Sequence, residues 1–91
     1  MEELHLTWRE DIDALQFAAG NGGQCFVHRL ALRTLLGPRP SPDECLTFAR
    51  QNAAALLGAA RQKIEASEAP AQRNFHLDSR QIRRSLRGLA G

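Results

Sequence analysis

The chain has 91 residues, 43% apolar and 24% charged, a composition that makes one small globular domain over 1–91 and excludes a disordered chain. A chain this short buries only about 60–65% of the surface its unfolded form exposes, so its core must be small and shared by every element. The net charge of +2 is uneven: residues 1–13 hold five acids against Arg9, a net of −4, while residues 71–91 hold five arginines against Asp78, a net of +4.

Leu4, Leu6 and Trp8 alternate with His5 and Thr7, the pattern of a short strand with one apolar face. Glu10 and Asp11 make a turn. Two strands, Ile12 to Ala18 and Gln24 to His28, are joined by Gly20-Asn21-Gly22-Gly23, where Asn-Gly is the strongest short hairpin signal. A two-residue loop at Asn21 and Gly22 predicts Ala18 opposite Cys25, Phe17 opposite Phe26 and Leu15 opposite His28. Leu15, Phe17 and Phe26 then share the helix-covered face. Gln16, Ala18, Cys25 and Val27 lie on the other, which the first strand or another chain is left to cover.

Arg29 to Leu36, with Leu30, Leu32, Leu35 and Leu36, is a short helix stopped at Gly37-Pro38. After a proline-stiffened connector, Ser41 to Ser67 is predicted as one long helix. Its apolar or small residues, Cys45, Phe48, Ala49, Ala53, Leu56, Leu57, Ala60 and Ile64, recur at steps of three and four. Arg50, Gln51, Arg61, Gln62 and Glu65 lie on its polar side. Ser41, Pro42 and Glu44 supply a capping box and a first-turn proline.

Within that helix Gly58 costs about 1 kcal/mol relative to Ala, so a close packing contact accounts for it. Together with Ala53, Ala54, Ala55, Ala59 and Ala60 it lets another backbone approach, inside the monomer or across a homodimer.

Ala66 to Arg73 is a loop broken at Pro70, and Asn74 to Asp78 a brief strand with Phe75 and Leu77 pointing one way. Asp78 or Ser79 caps a final helix, with Gln81 placed to close a capping box from Asp78. Ile82, Leu86 and Leu89 form its apolar seam, leaving Arg80, Arg83, Arg84 and Arg87 exposed. The order predicts an α+β fold: a small antiparallel sheet, made of the hairpin plus short N-terminal and C-terminal strands, with one long and two short helices on one face.

A hairpin whose second strand carries a cysteine, Gly22-Gly23-Gln24-Cys25-Phe26-Val27, leads into a Leu-rich helix, Arg29-Leu30-Ala31-Leu32-Arg33-Thr34-Leu35-Leu36. A long helix with an aromatic near its start, Phe48-Ala49-Arg50, precedes a strand closed by an aspartate, Phe75-His76-Leu77-Asp78. From about Leu4 to Leu86 this ensemble resembles the small uncharacterised proteobacterial family known as domain of unknown function 1488. It departs from that family at His28, where a small residue is usual. The resemblance implies an α+β fold and brings no activity, cofactor or functional residue.

His5, His28, His76, Cys25 and Cys45 are the candidate metal ligands, but none stands at a recognised ligand spacing. No metal or cofactor is expected, and the two cysteines are read as reduced, buried thiols. A nucleophilic site built from Cys25, His76 and Asp78 requires the last strand to pair beside the hairpin; the plainer account is a core thiol and a strand end. Asp11 and Asp13 fit solvated edge charges, and Gly20 to Gly23 has neither phosphate-loop spacing.

The strongest functional hint is the basic end. Arg80, Arg83, Arg84 and Arg87 form a helical stripe able to engage phosphates, although cations at a helix C-terminus also complement its dipole and no stacking aromatic is interleaved among them. The acidic and basic ends can also attract each other.

No apolar run approaches the roughly 20 residues of a membrane span, and Met1-Glu2-Glu3-Leu4-His5 lacks the regions of a signal peptide, so a cytoplasmic protein without membrane contact is expected. The predicted function is a non-enzymatic binding or regulatory accessory with a protein partner or a second copy. The alternative is weak nucleic-acid binding through Arg80, Arg83, Arg84 and Arg87.

Overall fold

The computed structural model describes residues 5–66 and 71–90. Leu4, Ser67 and Pro70, the predicted strand start, helix end and loop break, lie outside these. Strands β1 (Thr7–Arg9), β2 (Ala14–Ala18) and β3 (Gln24–His28) form an antiparallel meander, and β4 (Phe75–His76) returns beside β3 to give the order β1-β2-β3-β4. The fold is α+β as expected, but the sheet is mixed, because β4 runs parallel to β3 with Cys25 opposite Phe75 and Phe26 opposite His76.

The direction of β4 is set at the hairpin tip. Gln72 N–H donates to the Asn21 carbonyl at 2.7 Å, Asn21 Nδ2 donates to the Arg73 carbonyl at 3.0 Å, and Gln24 N–H donates to Asn74 Oδ1 at 2.9 Å. The segment leading into β4 is thus pinned where β3 also begins. Both strands must leave that point in the same direction.

The hairpin register is one residue away from the predicted one. Ala19 N–H bonds the Gly23 carbonyl at 3.2 Å, and Gly23 N–H donates to Asn21 Oδ1 at 2.8 Å, so the loop is Gly20-Asn21-Gly22 with both glycines at positive φ. Leu15 faces Val27 and Phe17 faces Cys25. A one-residue slip turns a strand over. Leu15, Phe17, Cys25 and Val27 therefore line the core with Trp8, which pairs with Leu15, while Gln16, Phe26, His28 and His76 take the opposite face.

Helices α1 (Arg29–Leu36), α2 (Pro42–Gln51), α3 (Ala53–Glu65) and α4 (Ser79–Ala90) cover the core face. The helix predicted as continuous is divided at Asn52, whose side-chain amide donates to the Phe48 carbonyl at 2.9 Å and whose backbone stands at φ −123°. Such a local side-chain bond competes with the helical ladder. Both predicted capping boxes form, Ser41 with Glu44 and Asp78 with Gln81.

Leu32, Cys45, Ala49, Leu56, Ala59, Ala60 and Ile82 meet the sheet residues in one core. Three predicted apolar positions of α1 and α4 lie outside it: Leu30 is 69% exposed, Leu36 36% and Leu89 63%. On α4 the buried row is Ile82 and Ser85, and the helix continues beyond the core before it reaches Leu89.

Candidate polyanion-binding surface

The capping box at Asp78 starts α4 in a phase that buries Ile82 and Ser85 and leaves Arg80, Arg83, Arg84 and Arg87 exposed on the other side. The predicted stripe is therefore present. Arg83 donates to the Thr34 carbonyl at 3.2 Å, which ties α4 to α1. Among the described residues Arg80, Arg84 and Arg87 pair with no carboxylate. Like charges at three- and four-residue spacing on a helix repel by about 0.2–0.5 kcal/mol per pair, a cost that a bound polyanion would offset.

Among the described residues no carboxylate of the acidic end pairs with this stripe. Asp11 accepts from Arg9 Nε at 2.9 Å and Nη2 at 2.6 Å, and these bonds hold its carboxyl below the ordinary range. Asp13 is bonded to the guanidinium of Arg29, Nε lying 2.9 Å from Oδ1. These two carboxylates, predicted as solvated edge charges, are exposed, and each is paired with an arginine. Glu2 and Glu3 lie outside the described residues.

Arg29 is also an organiser. Its guanidinium lies 5.6 Å over the Trp8 ring and reaches the Pro40 carbonyl at 3.4 Å, holding the proline-rich connector against the start of α1. Arg29, Arg33 and Arg39 thereby line a cleft of about 280 Å³ with Asp13, Leu30 and Pro40. Arg33 and Arg39 are exposed, and Arg39 is fixed at φ +55° between two prolines.

Leu30 borders a second cleft, of about 370 Å³, with His28, Ala31, Lys63, His76 and Gln81. There the His28 and His76 rings stack with centroids 4.7 Å apart and planes 12° from parallel. Burial against its neighbours first, then the charges of His28 and Lys63, hold the His76 imidazole below its ordinary pKa. A third groove, lined by Leu36, Asp43, Glu44, Thr47, Phe48 and Gln51, has the opposite charge.

The other candidate chemistries are not assembled. The Cys25 thiol is fully buried, and burial pushes its pKa up from 9.0 to about 12 despite the opposing charge of Lys63. Cys45 is raised by burial as well. Although β4 does pair beside β3, Cys25 points into the core and His76 to the opposite face, so Cys25, His76 and Asp78 do not converge. Asp78 is engaged as a helix cap, and His5 is exposed. Among the described residues no three His, Cys, Asp or Glu side chains are grouped to hold a metal.

Arg33, Arg39 and the His28–His76 pair were missed in the sequence. The alternation in Gln24–His28 and Asn74–Asp78 carries the signal for the imidazoles, but only with the strand register known. No helix among the described residues is long and apolar enough to cross a membrane. No family model matches the chain, and no curated protein and no solved structure is detectably similar to it.

Proposed function

We propose that this protein is a non-enzymatic binding and regulatory accessory, and that its partner is a nucleic acid engaged by Arg80, Arg83, Arg84 and Arg87. The observation that carries this reading is that Arg80, Arg84 and Arg87 share one exposed helix face and pair with no carboxylate among the described residues. Arg83 carries the positive charge to the junction with α1, where it bonds the Thr34 carbonyl. Part of the small-residue run packs inside the monomer, where Gly58 meets Ser85 of α4, and Ala54 of the same run is exposed.

Fluorescence anisotropy with a labelled duplex tests this. Neutralising three or four phosphates makes affinity fall about 40- to 150-fold between about 50 and 200 mM salt. An Arg80→Ala, Arg84→Ala, Arg87→Ala variant should lose most of that dependence; Arg83 is left in place because it also braces Thr34. Absence of binding at about 50 mM salt, or affinity indifferent to salt, would contradict the reading. A protein partner is the second reading, favoured by the 63% exposure of Leu89 at the end of the same helix. It predicts a complex that survives salt.

A further inference from the structure

The sheet face opposite Cys25 and Phe75 gathers Phe26, His28 and His76, because the observed register sets Phe26 opposite His76 and His28 two residues further along β3, and the two imidazoles open onto the cleft that Ala31, Lys63 and Gln81 of the helices border. His76 stacks on His28 at 4.7 Å, and Phe26 leans against it with centroids 5.6 Å apart and a 34° tilt. Two neighbours thus hold the His76 ring in one orientation, while the residue remains exposed. Neither imidazole makes a side-chain hydrogen bond among the described residues. An oriented ring on an exposed residue, with no hydrogen bond to its nitrogens among the described residues, is suited to stacking on a base.

The phosphate half of such a ligand has a place beside it. Leu30, 69% exposed, is the ridge between the histidine cleft and the cleft of Arg29, Arg33 and Arg39. Asp13, the carboxylate of that second cleft, is already bonded to Arg29, which leaves Arg33 and Arg39 to meet an anion. A flat ring and a phosphate on one short unit is the chemistry of a nucleotide. A duplex hides its base faces, whereas an unpaired strand offers them.

We infer that this end of the molecule is a single-strand subsite: one base of a single-stranded nucleic acid stacks on His76, the strand crosses Leu30, and the neighbouring phosphate enters the cleft of Arg29, Arg33 and Arg39. The inference rests on the nucleic-acid reading of α4 and adds to it a preference for unpaired strands. It also gives a role to the most exposed leucine of α1.

The test compares a labelled single strand of about 12 nucleotides with inorganic polyphosphate, a polyanion that has no bases. His76→Ala and His76→Leu should each weaken single-strand binding about tenfold and leave polyphosphate binding unchanged, while His76→Phe keeps both. Unchanged polyphosphate binding and circular dichroism show that the variants fold; the leucine variant preserves side-chain bulk should the alanine one fail. Wild-type affinity in both His76 variants, with binding lost only in the α4 triple variant, would overturn the stacking subsite and leave the α4 reading standing. A wild-type protein that binds neither probe would overturn both.

Discussion

Gly58 and Ser85 interlock where α3 packs on α4: a Cβ on Gly58 would lie 2.8 Å from Ser85 Oγ, and that hydroxyl donates a 2.6 Å hydrogen bond to the Ala55 carbonyl. The missing side chain lets a buried serine reach the backbone of the neighbouring helix. Gly58→Ala gains about 1 kcal/mol of helix propensity but displaces the hydroxyl and leaves it buried without its partner, about 1–3 kcal/mol. A net loss near 1 kcal/mol is expected. In a Ser85→Ala background the obstacle is gone, since no other atom comes within 4 Å of that Cβ. There Gly58→Ala should stabilise by about 1 kcal/mol. Urea unfolding of the four proteins checks the sign change, and equal effects in both backgrounds would refute the interlock.

Gly23 sustains the second close approach. A Cβ there would stand 2.2 Å from the Arg73 carbonyl oxygen, a backbone atom that cannot rotate aside. Gly23→Ala should therefore push the 71–74 segment off the hairpin tip and cost about 3 kcal/mol. Gly20→Ala, where a Cβ meets nothing but φ is +95°, should cost only the backbone strain, about 1–2 kcal/mol. Thermal unfolding should rank the two in that order. Amide exchange should show β4 opening early in Gly23→Ala alone.

The buried thiol makes an alkaline prediction. Cys25 has a folded-state pKa of about 12 against an ordinary 9.0, so the folded protein resists losing this proton more than the unfolded chain does. Its contribution to stability is complete below pH 9 and disappears as pH rises towards 12, at up to about 1.4 kcal/mol per pH unit. Cys25→Ala should flatten that decline, leaving the smaller effect of Cys45. Native protein at pH 8 should alkylate at Cys25 only as fast as it unfolds. Rapid native alkylation would contradict the burial.

Local signals were legible in the sequence and long-range ones were not. The bounds of α1 follow from Arg29 to Leu36 and the Gly37 stop, and both capping boxes follow from side chains three residues apart. The break at Asn52 escaped periodicity because Cys45, Ala49, Leu56 and Ala60 keep a helical phase through it. The hairpin was visible in Asn21-Gly22, but its register depended on a third loop residue and on Asn21 bonding both its own turn and Arg73. The direction of β4 and the stacking of His28 on His76 depend on the same long-range latch. Of the candidate surface, the α4 stripe was readable from spacing alone, whereas Arg33 and Arg39 converge only because Arg29 draws the connector against α1.

Mapping backbone amide shifts during titration with a short single-stranded oligonucleotide tests the proposed polyanion-binding surface most directly. The predicted result is that shifts concentrate on α4 around Arg80 to Arg87, on α1 from Arg29 to Arg33, and at His76, and that they recede as salt rises. Shifts confined to the acidic groove of Asp43, Glu44 and Phe48, or none at low salt, would contradict it.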